Sequence, residues 1–420
     1  MDRIAVVGSG ISGLAAAYYL SRKYQVFLFE SENRLGGHTH TVTVDSSRGP
    51  IPIDTGFIVH NDRTYPNLIR LLAELGVPRV ASDMSFAVSC RKTGYEYSSR
   101  GVSGFLAQRR NAFRLKPYLL FGEIRRFNRL ALSLLEPQPP LQGLRVGAFL
   151  DEHRFTDLFR ELYLYPMASA IWSCPHSSVR EFPAVMLARF FHNHGMLTVN
   201  GHPQWKTIPG GCGSYLAPIT APLRDRVFTG VRIRSIARDD AGVNLEFHDR
   251  PAQRFEQVVI ATNGDRALPL LQNPSEAERD VLRHFTTSRN DVALHTDENL
   301  LPRRPMAQAS WNYLLHQDPR NGDGPATLTY DMNRLQSLAV PERYCITLNA
   351  NAAIRPEKIV RKFIYHHPVF TGESVQAQSR WREISGAQRT HYCGAYWFNG
   401  FHEDGVNSAL RVAEVLGVRP

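Results

Sequence analysis

The sequence predicts an α/β (α+β) protein, in which a dinucleotide-binding unit is joined to a second body of helices and a mixed sheet. Three observations carry that prediction. The chain opens "RIAVVGSGISGLAAAYYL", an apolar run, a glycine turn and an alanine-rich helical run, followed by a second apolar run from Gln25 to Phe29 closed by Glu30. It ends on a related device, in which the turn from Gly400 to Gly405 feeds a last helical run. Between them "RFEQVVIATNG" supplies another apolar strand, Val258 to Ala261, that stops at a turn.

Taken in order, Gly8 permits the tight turn after the first strand, Gly10 lets the backbone approach a pyrophosphate, and Gly13 lets helix and sheet pack closely. The amides and dipole at the start of that helix, around Ile11 and Ser12, favour phosphate. Glu30 lies seventeen residues after Gly13, near the spacing at which an acid hydrogen-bonds a ribose diol, and its charge disfavours a 2′-phosphate. Arg34-Leu35-Gly36-Gly37-His38 adds a second glycine turn, which a flavin dinucleotide needs and a nicotinamide one does not. Residues 64–200 are rich in helical periodicity, broken at Glu136-Pro137-Gln138-Pro139-Pro140. Alternation from Val231 to Ile236 and from Val243 to Phe247 flanks an Asp-Asp-Ala-Gly turn and reads as a hairpin. From 291 to 350, "ASWNYLLH", "ATLTYDMN" and "RYCITLNA" read as strands, with a turn at residues 318–324 between the first two.

These turns resemble those of the glutathione-reductase-type FAD proteins, and within them the flavin amine oxidase and phytoene desaturase superfamily, where an Arg-x-Gly-Gly turn follows the ribose acid. The resemblance implies FAD in a Rossmann domain built from 1–75, 203–290 and 385–420, with 76–202 and 291–384 forming a discontinuous substrate-binding domain. It implies cofactor contacts from Gly8, Gly10, Ile11, Ser12, Gly13, Glu30 and Ser31, and from Arg34, Gly36, Gly37, His38 and Thr39 of the second turn. Thr55 is expected to contact the cofactor, Gly56, Phe57 and Ile58 to cross an edge of the isoalloxazine, the backbone of Val231 to meet the adenine, and Ala261, Thr262 and Asn263 to lie on the returning strand and turn. Gly394, Asp404, Gly405 and Val406 occupy the C-terminal turn, with Asp404 in the acidic place. His38 stands where the superfamily often has Arg, and Asn263 where a His is expected. Cys393 is not at the position of covalent flavin thioethers, so the expected FAD is non-covalent.

A closer resemblance rests on "GGHTHTV", "IDTGFIVHN", "YPMASAIWS", "RFFHNHGML", "PQWKTIPGG", "TYDMNRLQSL" and "YHHPVF". Together they look like one bacterial family of FAD-dependent proteins, which also resembles the N-terminal oxidase-like half of plant cyclopropane fatty acid synthases. That implies oxidation or desaturation of an unsaturated, methylated or cyclopropanated acyl chain, beside a cyclopropane-synthase-like methyltransferase. Two alternatives stand next to it: an oxidase of a small amine, and a non-catalytic flavin-bound partner of such a methyltransferase. Amine oxidases of the superfamily place a lysine on the substrate-domain sheet. This chain has lysine only at 23, 92, 116, 206, 358 and 362, and none in the stretch that supplies it.

Phe401 and His402 fall where the superfamily sets an aromatic beside the isoalloxazine, and His60 is the general-base candidate. Trp172, Trp311, Tyr313 and Tyr365 are candidates to line an apolar tunnel. The pairs His38/His40, His192/His194 and His366/His367 lack a carboxylate or cysteine at ligand spacing, so no metal is expected.

At 420 residues, 43% hydrophobic and 21% charged, the chain can bury a full core without staples. Its five cysteines are scattered, which argues for a reducing compartment. With no signal-like start and no membrane-length apolar run, a cytoplasmic protein is expected. The net charge of +10 is uneven: residues 100–129 hold eight basic side chains against Glu123 alone, interleaved with aromatic and apolar ones. That pattern suits an anionic membrane surface at its inner face. No finger, helix-turn-helix or RNP pattern accompanies it, so nucleic acid is not an expected partner.

Overall fold

Residues Arg3–Val7 (β1) are apolar and largely β-branched because the strand they form is covered on both faces. In the computed structural model, which describes residues 2–136, 143–198, 201–315 and 326–419, β1 is the middle of a five-stranded sheet. Its order is Val227–Phe228, Gln25–Phe29 (β2), β1, Gln257–Ile260 and Thr390–Tyr392, parallel throughout. Val6 pairs with Leu28 on one side and Val259 on the other, so segments far apart in sequence end in register on one edge. Ile11–Leu20 (α1) is apolar all round, as a helix buried on every side must be. It packs against the terminal helix His402–Val415, which brings the two ends of the chain together.

Over this sheet lies the expected hairpin, Ile233–Asp239 with Gly242–Phe247, extended by a third strand at Gln253–Phe255. Phe247 and Phe255 meet Phe29 at 5.3 and 5.8 Å. The ladder begins at Ile233 rather than Val231. Val231 precedes it and donates its N–H to the Glu30 carbonyl at 2.8 Å.

A second, seven-stranded sheet runs Ile359–Val369, Thr286–His295, Cys345–Leu348, Leu328–Asp331, Trp311–Leu315, Phe86–Cys90, Glu96–Ser98. The three strands expected after residue 291 are present in it, and the turn expected at 318–324 lies outside the described residues. Thr286–His295 starts ahead of the boundary placed at 290 and pairs along its length with Ile359–Val369.

The helical reading of 64–200 needs one correction. Phe86–Cys90 and Glu96–Ser98 are strands, and Phe86–Cys90 lies parallel to Trp311–Leu315 in an otherwise antiparallel sheet. All five residues of Phe86–Cys90 are buried, so the stretch has no two-residue alternation to betray it. The helices of the same region, among them Leu115–Ser133, Tyr165–Trp172 and Ala184–Asn193, close a second core around Phe127, Phe159 and Phe191. The proline break at 137–140 lies outside the described residues. Among the described residues no helix is long and apolar enough to cross a membrane.

Candidate active site

The strand ends of the parallel sheet open onto one cavity of about 1840 Å³. Small-molecule pockets run to ~300–1,000 Å³, so there is room for a dinucleotide and a second ligand. Its first wall is the opening glycine turn. Gly8 takes φ +103°, and a Cβ there would stand 2.6 Å from the Ala261 carbonyl oxygen. A Cβ on Gly13 would sit 1.9 Å from the Gly8 carbonyl oxygen, which is the close packing its position demands. Gly10 differs: a Cβ built there meets nothing within 4 Å, because that residue faces the cavity. The backbone at Gly10 is therefore open to a ligand, at a helix start whose first amides have no partner within the helix.

Glu30 closes β2 on the same rim. Its carboxylate accepts from the Ser9 N–H at 2.9 Å, the Ser9 hydroxyl at 2.6 Å and the Glu32 N–H at 2.9 Å. That fixes an acceptor at the strand end, where a ribose diol would donate to it. The second turn lies on the first: the Gly36 N–H donates to the Ser9 carbonyl at 3.0 Å, and Arg34 braces the turn by donating to the Gly37 carbonyl at 2.7 Å.

The cavity wall includes Gly8, Gly10, Ile11, Ser12, Glu30, Ser31, Arg34, Gly36, Gly37 and His38. It also includes Thr55, Gly56, Phe57, Val231, Ala261, Thr262, Asn263, Gly394, Phe401 and His402. Gly13, Thr39, Asp404, Gly405 and Val406 stand behind it as support. Thr39 hydrogen-bonds His402 Nε2 at 2.9 Å and also bonds Tyr215. Asp404 accepts the Phe401 N–H at 2.9 Å, capping the terminal helix, and burial pushes its carboxyl up to about 7. A Cβ on Gly405 would meet Ile11 Cγ2 at 2.6 Å, so its absence lets the two helix starts converge. This arrangement fits FAD: an open glycine backbone, an anchored acid, a second glycine turn, and a second helix start beside the first.

His60, the general-base candidate, lies off the cavity. It is fully buried, stands outside the described cavity lining with its ring 6.4 Å from Phe57, and neither ring nitrogen has a hydrogen-bond partner among the described residues. Burial lowers it to about 4. His402 does face the cavity, its ring stacked on Phe57 at 3.4 Å, and burial holds it well below the usual imidazole range. Of the tunnel candidates, Trp172, Trp311 and Tyr365 line the cavity, while Tyr313 turns away to hydrogen-bond His176 at 3.0 Å.

Several wall residues were not anticipated. Tyr65, Phe190, His194 and Trp205 form an aromatic cluster with Phe401; Phe190 lies 3.9 Å from His194 and 4.9 Å from Phe401. His366 and His367 line the wall near His38, whose Nε2 has no hydrogen-bond partner among the described residues. Burial lowers His38 and His194 to about 4 and His367 to about 3, so these imidazoles are neutral at pH 7. Asp83 also lines the cavity. It accepts from the hydroxyls of Ser85 and Ser310 at 2.5 and 2.6 Å; burial works against its charge, but those bonds and nearby arginines leave it below the usual carboxylate range. The described lining contains no lysine and no cysteine. Cys393 is buried under the C-terminal turn against the Ser12 carbonyl, and burial pushes it up to about 12.

Part of the wall is apolar, built from Met167, Ile171, Tyr163, Ile124, Phe121 and Phe105, most of which pack against the second core. Among the described residues, no group of three His, Cys, Asp or Glu side chains is arranged to hold a metal ion.

Residues 11–416 match the family model described as flavin containing amine oxidoreductase. AofH of Mycobacterium tuberculosis, which carries the name of a flavin-containing monoamine oxidase, is 27% identical over 296 residues, 67% of this chain and 61% of its own length. The L-amino acid dehydrogenase of Synechocystis is 27% identical over 253 residues, 57% of this chain and 51% of its own. The chain thus matches only 51–61% of the length of these curated relatives. Putrescine oxidase bound to putrescine superposes with a TM-score of 0.70 at 15% identity, over 100% of this chain and 99% of that one. The CLA-producing fatty acid isomerase of P. acnes superposes at 0.69 and 15% identity, over 99% and 98%.

Proposed function

Because this chain belongs to the flavin-containing amine oxidoreductase family, and so is an FAD-dependent oxidoreductase, we propose that its substrate is a long acyl chain, unsaturated, methylated or cyclopropanated. The observation that carries this reading is the apolar arm of the wall, Met167, Ile171, Ile124, Phe121 and Phe105, in a cavity whose described lining has no lysine. A fatty acid isomerase and an amine oxidase share the fold at nearly equal TM-scores, so the fold does not choose between them and the wall chemistry must. FAD, held non-covalently, supplies a hydride acceptor when bound.

The chain's own residues bind, orient and exclude water. Met167, Ile171 and Ile124 offer a hydrocarbon chain contact without desolvation cost. The aromatic cluster of Tyr65, Phe190, Trp205 and Phe401 offers rigid faces against which a flexible chain can be oriented. Neutral imidazoles on the wall add hydrogen-bonding capacity without a charge that an apolar chain would have to meet.

Asp83 favours a second reading, oxidation of an amine. Outside the ribose rim of Glu30 and Glu32 it is the carboxylate of the described lining, and an ammonium could pair with it. One experiment separates the two. FAD-loaded protein is titrated anaerobically with unsaturated, methyl-branched and cyclopropanated phospholipids and, in parallel, with amines. Bleaching of the flavin's visible band by lipid alone is the expected outcome. Bleaching by amines that Asp83→Asn abolishes would replace the acyl reading. Bleaching by neither, with a cyclopropane-synthase-like methyltransferase co-purifying, would leave a cofactor-bound partner protein.

A further inference from the structure

We propose that the face built from residues 101–129 docks this protein on an anionic phospholipid bilayer, at the place where the cavity's apolar arm reaches the surface. The helix Leu115–Ser133 is apolar on two sides. Its inner stripe, Leu120, Phe127 and Ala131, is buried in the second core and accounts for the folding requirement. Its outer stripe, Leu115, Tyr118 and Leu119 at i, i+3, i+4, is turned to solvent; Leu115 is 78% exposed and Leu119 59%. Phe113, in the turn just before the helix, is 93% exposed. Scattered exposed apolar residues need no explanation, but a cluster of large ones on one element marks an interaction surface.

Charge selects the partner. Arg109, Arg110, Arg114, Arg125 and Arg129 surround the stripe and are exposed. The acid of the segment, Glu123, is occupied: it accepts from the Thr156 N–H and hydroxyl and lies 3.6 Å from Arg126. Apolar side chains beside arginines that form no ion pair among the described residues fit an anionic lipid surface, where each adds to the other. A second copy of this chain fits poorly. A two-fold interface would set the same arginines against themselves.

Position connects the face to the site. Val102, Tyr118 and Phe121 are exposed and also line the cavity, so the arm reaches the surface within the patch. A docked molecule would take an acyl chain from the bilayer with little passage through water. That delivery step rests on the acyl-chain reading; the docking itself does not.

The test is cosedimentation of FAD-loaded protein with vesicles of phosphatidylcholine alone and with about 30% phosphatidylglycerol. The comparison is the variant Phe113→Ser/Leu115→Ser/Leu119→Ser, three exposed positions outside the cavity lining. Binding to the phosphatidylglycerol vesicles is expected, weakened about tenfold or more both by the variant and by about 0.5 M salt. The variant should keep its flavin spectrum and melting midpoint. Equal binding by both proteins, or by neither, overturns the proposal. So does a wild-type dimer in light scattering that the variant dissociates, since a second copy would then be the occupant. If vesicles bind as expected while no dispersed acyl substrate bleaches the flavin, docking stands and the substrate reading falls. If the variant loses vesicles but still bleaches with dispersed substrate, both stand.

Discussion

At the scale of single residues, Glu30 shows how far one side chain organises the cofactor end. It holds Ser9 by its N–H and hydroxyl and Glu32 by its N–H, and keeps acceptor capacity for a ribose. Glu30→Ala should therefore weaken FAD binding about ten- to a hundredfold, the worth of one or two hydrogen bonds to a charged acceptor, by fluorescence titration of the apoprotein. An unchanged affinity would mean that the acid serves only the turn. Residues of this kind were legible in the sequence because backbone chemistry fixes their spacing along a continuous stretch. Tyr65 and Asp83 were not, since each reaches the wall from a separate segment with no local pattern to mark it, and the strings that hold His194 and Trp205 say nothing of which side chain faces a cavity. His60 marks the same limit from the other side. A histidine after an apolar run reads alike whether it faces a cavity or, as here, the packing behind Phe57.

Among elements, the decisive contact is between the starts of α1 and the terminal helix. Gly405→Ala would drive a methyl group against Ile11 Cγ2 and Ser12 Oγ, 2.6 and 2.9 Å away, in a wall that both helices share. The expected result is a loss of about 1–3 kcal/mol in urea denaturation, with faster FAD release. Gly122→Ala is the matched contrast: the methyl enters open space on an exposed helix and should stabilise by about 0.5–1 kcal/mol. The convergence of the two helices was readable from the glycine turns at both ends of the chain. The strands at Phe86–Cys90 and Glu96–Ser98 were not readable, for opposite reasons. Phe86–Cys90 is buried without alternation, and Glu96 hides a carboxylate that accepts from the Arg303 and Arg304 N–H groups, a tertiary satisfaction invisible in local sequence.

For the whole molecule, the balance of buried titrating groups sets how stability responds to pH. His40, His60, His295 and His391 lie off the cavity lining, and at each of them burial lowers the imidazole from 6.5 to about 4. The unfolded chain binds these protons near pH 6.5 and the folded chain only near 4, so stability is lost as pH falls through that window. Burial acts in the opposite sense on Asp54, raised from 3.8 to about 6, and on Asp404, raised to about 7; Asp331 and Glu403 are raised as well. There the folded chain keeps protons that the unfolded chain has released, so stability is lost as pH rises from about 4 toward 7. Four imidazoles with one large displacement each outweigh the acids below pH 6.5. Above it the imidazoles are silent and Asp404 alone of the two strongly raised acids still titrates. The melting midpoint of the FAD-loaded protein should therefore fall on acidification from 6.5 toward 4, and decline slightly from 6.5 to 7.5. Asp404→Asn isolates the second arm, because the amide can still accept the Phe401 N–H while carrying no titrating charge. Relative to the parent it should gain stability steadily between pH 4 and 7 and then level off. A difference between the two proteins that is flat across this range would mean that Asp404 is already ionised in the folded chain, its charge balanced by the converging helix starts.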